Sequence, residues 1–285
     1  MHTRISSETQ EVIIGPDRPV VIIGERINPT GHKKLAEALE RRDMGYVQEE
    51  ALRQVRAGAH ILDVNVGVSG INEAAVMVEA IQAIREVVDV PLSIDSANPK
   101  VLAAGLGACK GKVLVNSVNG EQAKLREVLP LIAEYRAAVV ALTMDDKGIP
   151  MDVSTRVVIA EKILAEAAKL GIPAEDVIVD PLAMSVASDD KAGLGALTAL
   201  AEIRDKLGVN QTIGASNVSF GLPERRAINC VFLAMAVNNG LTCPITDPTV
   251  WEIRRTLLLA DLFQGRDEYA MNFITAYREQ FPEAD

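Results

Sequence analysis

The residues best placed to do chemistry in this sequence are polar side chains that directly follow short apolar runs. All of them are carboxylates, amides or hydroxyls, and the set lacks histidine, cysteine and lysine. Its members are Glu25, Asn28, Asp63, Asn65, Asp95, Ser96, Asn116, Ser117, Thr143, Asp145, Asp180, Asn217 and Asp247. A carboxylate accepts two parallel N–H bonds, and an amide both donates and accepts. Such a set suits a flat, neutral heterocycle that carries amino, ring N–H and carbonyl groups, and a pterin ring is one.

The same residue types have two further uses. Asp and Asn are preferred helix N-caps, so any one of them alone is more often a cap than a ligand-binding residue. The binding interpretation rests on recurrence, because three separate apolar runs end alike: Leu92–Asp95, Val113–Asn116 and Val177–Asp180. Several oxygen ligands at one mouth would also bind Mg²⁺. Because the residues show no signature spacing for a cation, we assign no metal.

Histidine and cysteine are scarce in this chain. Three histidines stand at positions 2, 32 and 60, and three cysteines at positions 109, 230 and 243. The wide cysteine spacing, without a C-x-x-C pair, argues against a disulfide framework and a thiolate metal site. A His-rich metal centre or a Ser-His-Asp triad is poorly supplied as well. Cys230 and Met235 lie in an apolar helical run and are predicted to be core residues.

The elements that position these side chains must bring several strand ends together. Eight short β-branched runs alternate with longer segments of helical period, which predicts parallel strands joined by crossover helices. The runs are Val20–Gly24, His60–Asn65, Leu92–Asp95, Val113–Asn116, Ala138–Thr143, Val177–Asp180, Thr212–Gly214 and Pro244–Thr246. Eight units in roughly 250 residues favour an α/β fold of the (β/α)8 TIM-barrel type, whose strand ends meet at one mouth. An open doubly wound sheet is the alternative, and no G-x-G-x-x-G follows the first run to support it.

The chain is interpreted as a single domain. We expect an N-terminal extension over residues 1–19, the barrel over residues 20–265, and a C-terminal helix and tail over residues 266–285. The terminal helix is predicted to run from Asp267 to Phe281. Helix starts are predicted at Asp43, at Asn98, at Asp152 or Ser154, and at Pro223.

Composition narrows the function further. Among 285 residues, 48% are hydrophobic and 24% charged, as in ordinary globular proteins. Lys and Arg total 29 against 39 Asp and Glu, a formal net charge of -10. Because that field repels polyphosphate and anionic lipid, we expect neither nucleic acid nor a membrane as partner. No signal-peptide-like or membrane-spanning run is apparent, so a cytoplasmic location is expected.

Seven segments at the strand ends resemble one known family. They are Gly24-Glu25-Arg26-Ile27-Asn28, Leu62-Asp63-Val64-Asn65-Val66-Gly67, Ile94-Asp95-Ser96, Val115-Asn116-Ser117-Val118-Asn119, Leu142-Thr143-Met144, Asp180-Pro181-Leu182 and Gly214-Ala215-Ser216-Asn217-Val218-Ser219. In this order they resemble the pterin-binding barrels of methyltetrahydrofolate:corrinoid methyltransferases. That family is similar to dihydropteroate synthases and to the folate domain of cobalamin-dependent methionine synthase.

The resemblance implies roles for individual residues. It implies that Asp95, Asn116 and Asp180 hold the pterin ring, that Asn217 is catalytic and contacts the methyl-bearing ring nitrogen, and that Arg225 lies near the pterin. Further mouth residues are expected from the strand ends; these are Glu25, Asp63, Asn65, Ser96 and Asp247. The substrates implied are tetrahydrofolate or its methyl derivative and a cobalamin-type corrinoid, and a homodimer is implied too.

The expected activity is methyl transfer between the folate and a corrinoid carried by a partner protein. A corrinoid on this chain is not expected, because no Asp-x-His-x-x-Gly motif occurs. The first alternative is a dihydropteroate synthase-like enzyme. It is disfavoured because no Asp-Ser-Phe run follows Asn28-Pro29-Thr30 and no Arg-x-His pair follows the eighth strand. The same strand-end residues also suit a non-catalytic pterin-binding protein or a metal-assisted barrel enzyme.

Overall fold

In the computed structural model, which describes residues 1–282, strands and helices alternate along the chain. The strands are β1 (Thr3–Ser6), β2 (Glu11–Ile14), β3 (Ile23–Ile27), β4 (Ile61–Val64), β5 (Leu92–Asp95), β6 (Leu114–Asn119), β7 (Ala138–Leu142), β8 (Val177–Asp180) and β9 (Ile245–Thr246). The helices are α1 (Lys33–Arg41), α2 (Met44–Arg56), α3 (Glu73–Val87), α4 (Pro99–Ala108), α5 (Gln122–Tyr135), α6 (Val153–Lys169), α7 (Ala192–Leu207), α8 (Arg225–Asn238), α9 (Trp251–Phe263) and α10 (Met271–Gln280). None of these helices is both long and apolar enough to cross a membrane.

The main sheet is parallel and closes on itself. Its strand order is β8-β7-β6-β5-β4-β3-β9. The segment 211–214 fills the gap between the two edges, since Thr212 N–H donates to the Val179 carbonyl at 3.0 Å and Ile245 N–H donates to the Ile213 carbonyl at 3.0 Å. The predicted strand Thr212–Gly214 therefore occupies the remaining strand position of the barrel. It is joined to its neighbours by isolated β-bridges and is not a regular strand. The predicted α/β barrel is confirmed.

An N-terminal hairpin closes the base of the barrel. Strands β1 and β2 pair antiparallel. Their residues Ile5 and Ile14 are fully buried in one cluster with Ile23, Ile61 and Ile178 of the barrel strands. Burial of these apolar side chains gives the hairpin a stabilising role at the end of the barrel opposite the strand carboxyl termini. The sequence suggested only an extension here.

Some helix boundaries follow the sequence signals and others do not. Asn98 Oδ1 accepts from Lys100 N at 3.0 Å, and Asp152 Oδ2 accepts from Thr155 N at 2.8 Å. Asp43 stands at the N-cap of α2 but makes no capping hydrogen bond with its side chain. The C-terminal helix begins later than predicted, at Met271, because a short 3-10 turn with left-handed residues precedes it. Residues 283–285 of the predicted tail lie outside the described residues.

The structure also differs from the predictions at the first barrel strand and on helix α8. The first barrel strand is Ile23–Ile27, not Val20–Gly24, so Glu25 lies inside the strand and does not follow it. Met235 is not a core residue: 49% of it is exposed, because it lies on the outer face of α8. Cys230 is only partly buried.

Candidate functional site

Three neighbouring strands bring a connected set of polar side chains to the barrel mouth. The register pairs Asp63 with Ser93 and Asp95 with Asn116 across adjacent parallel strands. Ser93 Oγ donates to Asp63 Oδ1 at 2.6 Å, and Asn116 Nδ2 donates to the same oxygen at 3.2 Å. Asn65 Nδ2 donates to Asp95 Oδ2 at 2.9 Å. The predicted convergence of these side chains is thus present in the structure.

The two carboxylates of this set are desolvated, and their hydrogen-bond partners in residues 1–282 are neutral. Burial, and secondly the charge of Asp95, raise the pKa of Asp63 well above its ordinary value. Burial also raises the pKa of Asp95, against the hydrogen bond from Asn65. Since burial disfavours the charged form, a ligand that donates N–H bonds here would stabilise the ionised carboxylates.

Asp180 forms the opposite side of the mouth, at the end of β8. It is 5% exposed, and its Oδ1 accepts from Leu182 N at 2.7 Å. Burial raises the pKa of Asp180 to about 7, although the charge of Arg156 works in the other direction. Arg156 does not hydrogen-bond this carboxylate, because its guanidinium donates to the carbonyls of Pro150, Pro181 and Leu182.

Asn217 lies on the short 3-10 turn Ala215–Ser219, which follows the bridging segment 211–214. Its side chain is exposed and makes no hydrogen bond with the described part of the chain. A Cβ at Gly214 would lie 3.1 Å from Asn217 Nδ2, so the glycine permits the amide to fold back over the strand end. An amide presented without a protein partner is available to a ligand.

Arg225 stabilises the turn that carries Asn217. Its Nε donates to Ser219 Oγ at 3.1 Å, and its Nη2 donates to the Ser216 carbonyl at 2.8 Å. The guanidinium also lies 6.0 Å from the centre of the Phe220 ring. These contacts tie the exposed start of α8 to the turn that carries Asn217.

Glu25 and Asp247 complete the mouth on the β3 and β9 side. Ser216 Oγ donates to Glu25 Oε2 at 3.3 Å. Burial, and secondly the charge of Asp247, raise the pKa of Glu25 to about 7. Asp247 is better provided with partners, since its Oδ1 accepts from Thr249 N and Oγ1 and its Oδ2 lies 3.6 Å from Arg26 Nε.

Not every predicted mouth residue points to a ligand. Ser96 Oγ accepts from Asn98 N at 3.1 Å, so its hydroxyl serves the turn into α4. Ser93 and Arg156, which lie within the network or beside it, are not among the residues predicted from the sequence. Ser93 follows from the strand alternation once the register is known, whereas no sequence signal marks Arg156. Among residues 1–282, no group of three or more histidine, cysteine or acidic side chains is arranged to hold a metal ion.

The chain is similar to known proteins in family profile, in sequence and in fold. The profile of the family described as "Pterin binding enzyme" matches residues 24–247. A methylcorrinoid:tetrahydrofolate methyltransferase of Eubacterium limosum is 30% identical over 263 residues, covering 91% of this chain and 97% of that protein. Methionine synthase of Mycobacterium leprae is 34% identical over 239 residues. That relative is much longer, and this chain spans only 20% of it.

Solved structures agree in fold. A dihydropteroate synthase of Xanthomonas albilineans with bound 4-aminobenzoic acid has a TM-score of 0.68 at 22% identity, covering 93% of this chain and 98% of that one. The dihydropteroate synthase of Stenotrophomonas maltophilia with imidazole in its active site also has a TM-score of 0.68, at 21% identity, covering 92% of this chain and 98% of that one. At this identity the likeness establishes the barrel and leaves the reaction to other observations.

Proposed function

Because the chain belongs to the family of pterin-binding enzymes, we propose that it transfers a methyl group between the ring nitrogen of methyltetrahydrofolate and the cobalt of a corrinoid. The observation that carries this proposal is the similarity, along nearly the whole of both chains, to a methylcorrinoid:tetrahydrofolate methyltransferase. A mouth of carboxylates and amides suits the folate ring. The corrinoid is a substrate, delivered to the mouth by a partner protein.

In this proposal the pterin ring is bound by Asp95, Asn116 and Asp180. The partly buried carboxylate of Asp95 and the buried one of Asp180 accept N–H bonds from the amino and ring N–H groups of the pterin. The Asn116 amide is held in place by its hydrogen bond to Asp63 at 3.2 Å. Charge-assisted bonds of this kind are worth about 1.5–3 kcal/mol each. The support is geometric, because neighbouring or facing strand ends position all three side chains around one mouth.

The chemical step places Asn217 at the methyl-bearing nitrogen. When cobalt(I) uses its electron pair to form the bond to the methyl carbon, the C–N bond breaks and its pair stays on the nitrogen, which gains a proton. A tertiary amine is a poor leaving group, so positive charge must build up on this nitrogen before the bond breaks. The Asn217 amide, held in a fixed turn by Arg225, stabilises that change with its carbonyl oxygen. In the reverse direction the same groups methylate tetrahydrofolate from methylcobalt.

A product assay distinguishes this function from dihydropteroate synthesis and from simple pterin binding. Purified protein is given tetrahydrofolate with methylcob(III)alamin, and separately a pterin pyrophosphate with 4-aminobenzoate. We expect methyltetrahydrofolate from the first pair and no dihydropteroate from the second. Dihydropteroate from the second pair would instead identify a dihydropteroate synthase-like enzyme, and binding of folate without either product would identify a pterin-binding protein.

A homodimer is part of the proposal. Helices α7 and α8 enclose an apolar groove of about 440 Å³ lined by Leu197, Val218, Ile228, Val231, Phe232 and Met235, among others. Leu194 and Val231 on the same helices are 68% and 62% exposed, and apolar side chains exposed together in this way are typical of an interaction surface. Light scattering should give twice the chain mass for the native protein and a smaller mass for Val231→Glu.

A cytoplasmic location is also part of the proposal. Cys109, Cys230 and Cys243 are unpaired thiols. Free thiols of this kind are usual in proteins kept in a reducing compartment. Localisation of the tagged protein in its native cell tests this point directly.

A further inference from the structure

We propose that Glu25 exchanges the proton of the methyl-bearing nitrogen: it gives the proton when the folate is demethylated and takes it back when the folate is methylated. This inference rests on the proposed function. The reaction consumes one proton as methyltetrahydrofolate becomes tetrahydrofolate, and an amide such as Asn217 has no proton to exchange near neutral pH. A titratable group beside the amide can supply it.

Glu25 lies between the ring-binding strand ends and the turn that carries Asn217. The Ser216 hydroxyl, 3.3 Å from Glu25 Oε2, belongs to the residue that precedes Asn217 on the turn. On its other side Glu25 is near enough to Asp63 for its charge to contribute to the raised pKa of that carboxyl. Glu25 therefore lies between the ring-binding strand ends and the turn expected at the methyl group.

The neighbouring carboxylate is unsuited to this role. Asp247 accepts two hydrogen bonds from Thr249 and faces the Arg26 guanidinium at 3.6 Å, so its negative charge is compensated. Glu25 has one weak hydrogen bond, from Ser216, and no cation of residues 1–282 lies within ion-pair distance of it. When two close carboxylates differ in this way, the poorly solvated one takes the proton.

The charged groups that face Glu25 come from four elements. Asp247 after β9 disfavours its ionised form, whereas Arg26 on β3 and Arg225 on α8 favour it. Asp63 on β4 faces it as well, and the charge of Glu25 raises the pKa of that carboxyl. Burial outweighs them all and, with Asp247, brings the pKa of Glu25 to about 7. A general acid and base works best when its pKa lies near the operating pH, so this environment suits exchange in both directions.

The transfer balances without any further reactant. Protonated Glu25 donates its proton to Ser216 Oγ as the Ser216 hydroxyl donates its own proton to the pterin nitrogen. The nitrogen keeps the electron pair of the C–N bond as the methyl group leaves for cobalt(I). Ionised Glu25 then regains a proton from solvent. Methylation of tetrahydrofolate runs through the same positions in reverse.

The test compares Glu25→Gln with the native protein by single-turnover methyl transfer from methyltetrahydrofolate to cob(I)alamin between pH 5.5 and 8.5. The native rate should fall as the pH rises through about 7. Glu25→Gln should be slower by roughly 10²–10⁴-fold, the usual contribution of a proton-transfer group, and its rate should lose that inflection. Folate affinity should change less than about threefold, because the pterin ring does not depend on this side chain.

Glu121→Gln is the matched control. Glu121 also follows a strand at the mouth side of the barrel, where it accepts from Asn119 Nδ2 at 2.9 Å, but it faces none of the groups around Glu25. Its substitution should leave rate and pH profile unchanged. Glu25→Asp, which keeps a titratable group, should retain an inflection at reduced rate and serves if Glu25→Gln does not fold.

A native rate in Glu25→Gln would overturn the inference, and so would an inflection near pH 7 that survives in this variant. A loss of folate affinity as large as the loss of rate would overturn it too, because it would make Glu25 a ring-binding residue. If the native protein transfers no methyl group at all, the proposed function fails. If the native protein transfers it and Glu25→Gln matches it, only the role of Glu25 fails.

Discussion

Asp180 destabilises the folded protein when its buried carboxyl is ionised, and a bound ligand can remove this destabilisation. Its carboxyl is buried and has a backbone N–H as its hydrogen-bond donor, and its pKa is raised from 3.8 to about 7. Because the folded-state pKa is the higher one, stability from this group is fully present below about pH 4 and is lost as the pH rises through 7. A strained group of this kind at a binding site exchanges stability for function.

Replacing Asp180 with Asn should therefore change stability and binding in opposite directions. At pH 8, where native Asp180 is ionised, the variant should melt roughly 2–8 °C higher, since each kcal/mol corresponds to about 2–4 °C in a chain of this size. Its folate affinity should fall at least about tenfold, because an amide replaces a charge-assisted acceptor. Thermal unfolding and titration calorimetry measure both. Asp145→Asn, in a turn after β7, should change neither quantity; a lower melting temperature for Asp180→Asn would contradict the cost assigned to this carboxylate.

Substitution of Asn217 shows whether its amide is catalytic or structural. The side chain has no hydrogen bond with residues 1–282, so truncation to Ala removes nothing that holds the fold. Single-turnover methyl transfer should fall by roughly 10- to 1,000-fold, as when one preorganised group is removed from a transition state. Melting temperature and folate affinity should stay close to native values. An unchanged rate beside a lowered melting temperature would make Asn217 a structural residue.

At the scale of elements, the position of Asp95 depends on how closely α4 packs on β5. Gly105 of α4 leaves no space for a side chain, since a Cβ there would lie 2.8 Å from Ile94 Cγ2 and 3.2 Å from Met77 Cγ. Ile94 immediately precedes Asp95 on β5. The missing side chain lets the helix approach the strand that presents a ring-binding carboxylate.

Gly105→Ala should push α4 away from β5 and disturb Asp95. We expect a loss of about 1–3 kcal/mol in the free energy of unfolding, the usual cost of overpacking, with weakened folate binding. Gly107→Ala on the same helix is the control, because its Cβ would meet only the Tyr135 hydroxyl at 3.7 Å. That control should gain roughly 0.5–1 kcal/mol from lower chain entropy. Equal effects of the two substitutions in denaturant titrations would contradict close packing at Gly105.

The sequence predicts the elements that form from local residue patterns. It does not predict contacts that exist only once the barrel has closed. Strand ends such as Asp95 and Asn116 are predictable because apolar runs and caps mark them, and parallel register then brings them together. The N-terminal hairpin was missed because two strands of four residues carry little periodicity before the barrel base covers them. Glu25 lies near Asp247 only because β3 pairs with β9. Arg156 was missed because it approaches from a helix and binds carbonyls, which no sequence pattern indicates.

For the protein as a whole, folate binding should be coupled to proton release. Pterin N–H donors favour ionised Asp180, so the bound form has a lower pKa than the free form, which is about 7. Affinity should therefore rise with pH up to about 7 and level off above it, by as much as about tenfold per pH unit below the transition. Calorimetry in two buffers of different ionisation enthalpy measures the proton released, and Asp180→Asn should abolish most of it. An affinity that falls as the pH rises would refute this coupling.

Methyl transfer, and not pterin binding alone, is the activity expected of this barrel. Anaerobic mixing of the protein, in excess, with methyltetrahydrofolate and free cob(I)alamin tests it in one turnover, because the cobalt spectrum reports the methylated product directly. A methyltransferase should convert cob(I)alamin completely to methylcob(III)alamin, with tetrahydrofolate as the second product, far faster than in the absence of protein. Saturable folate binding with an unchanged cobalt spectrum would contradict this activity.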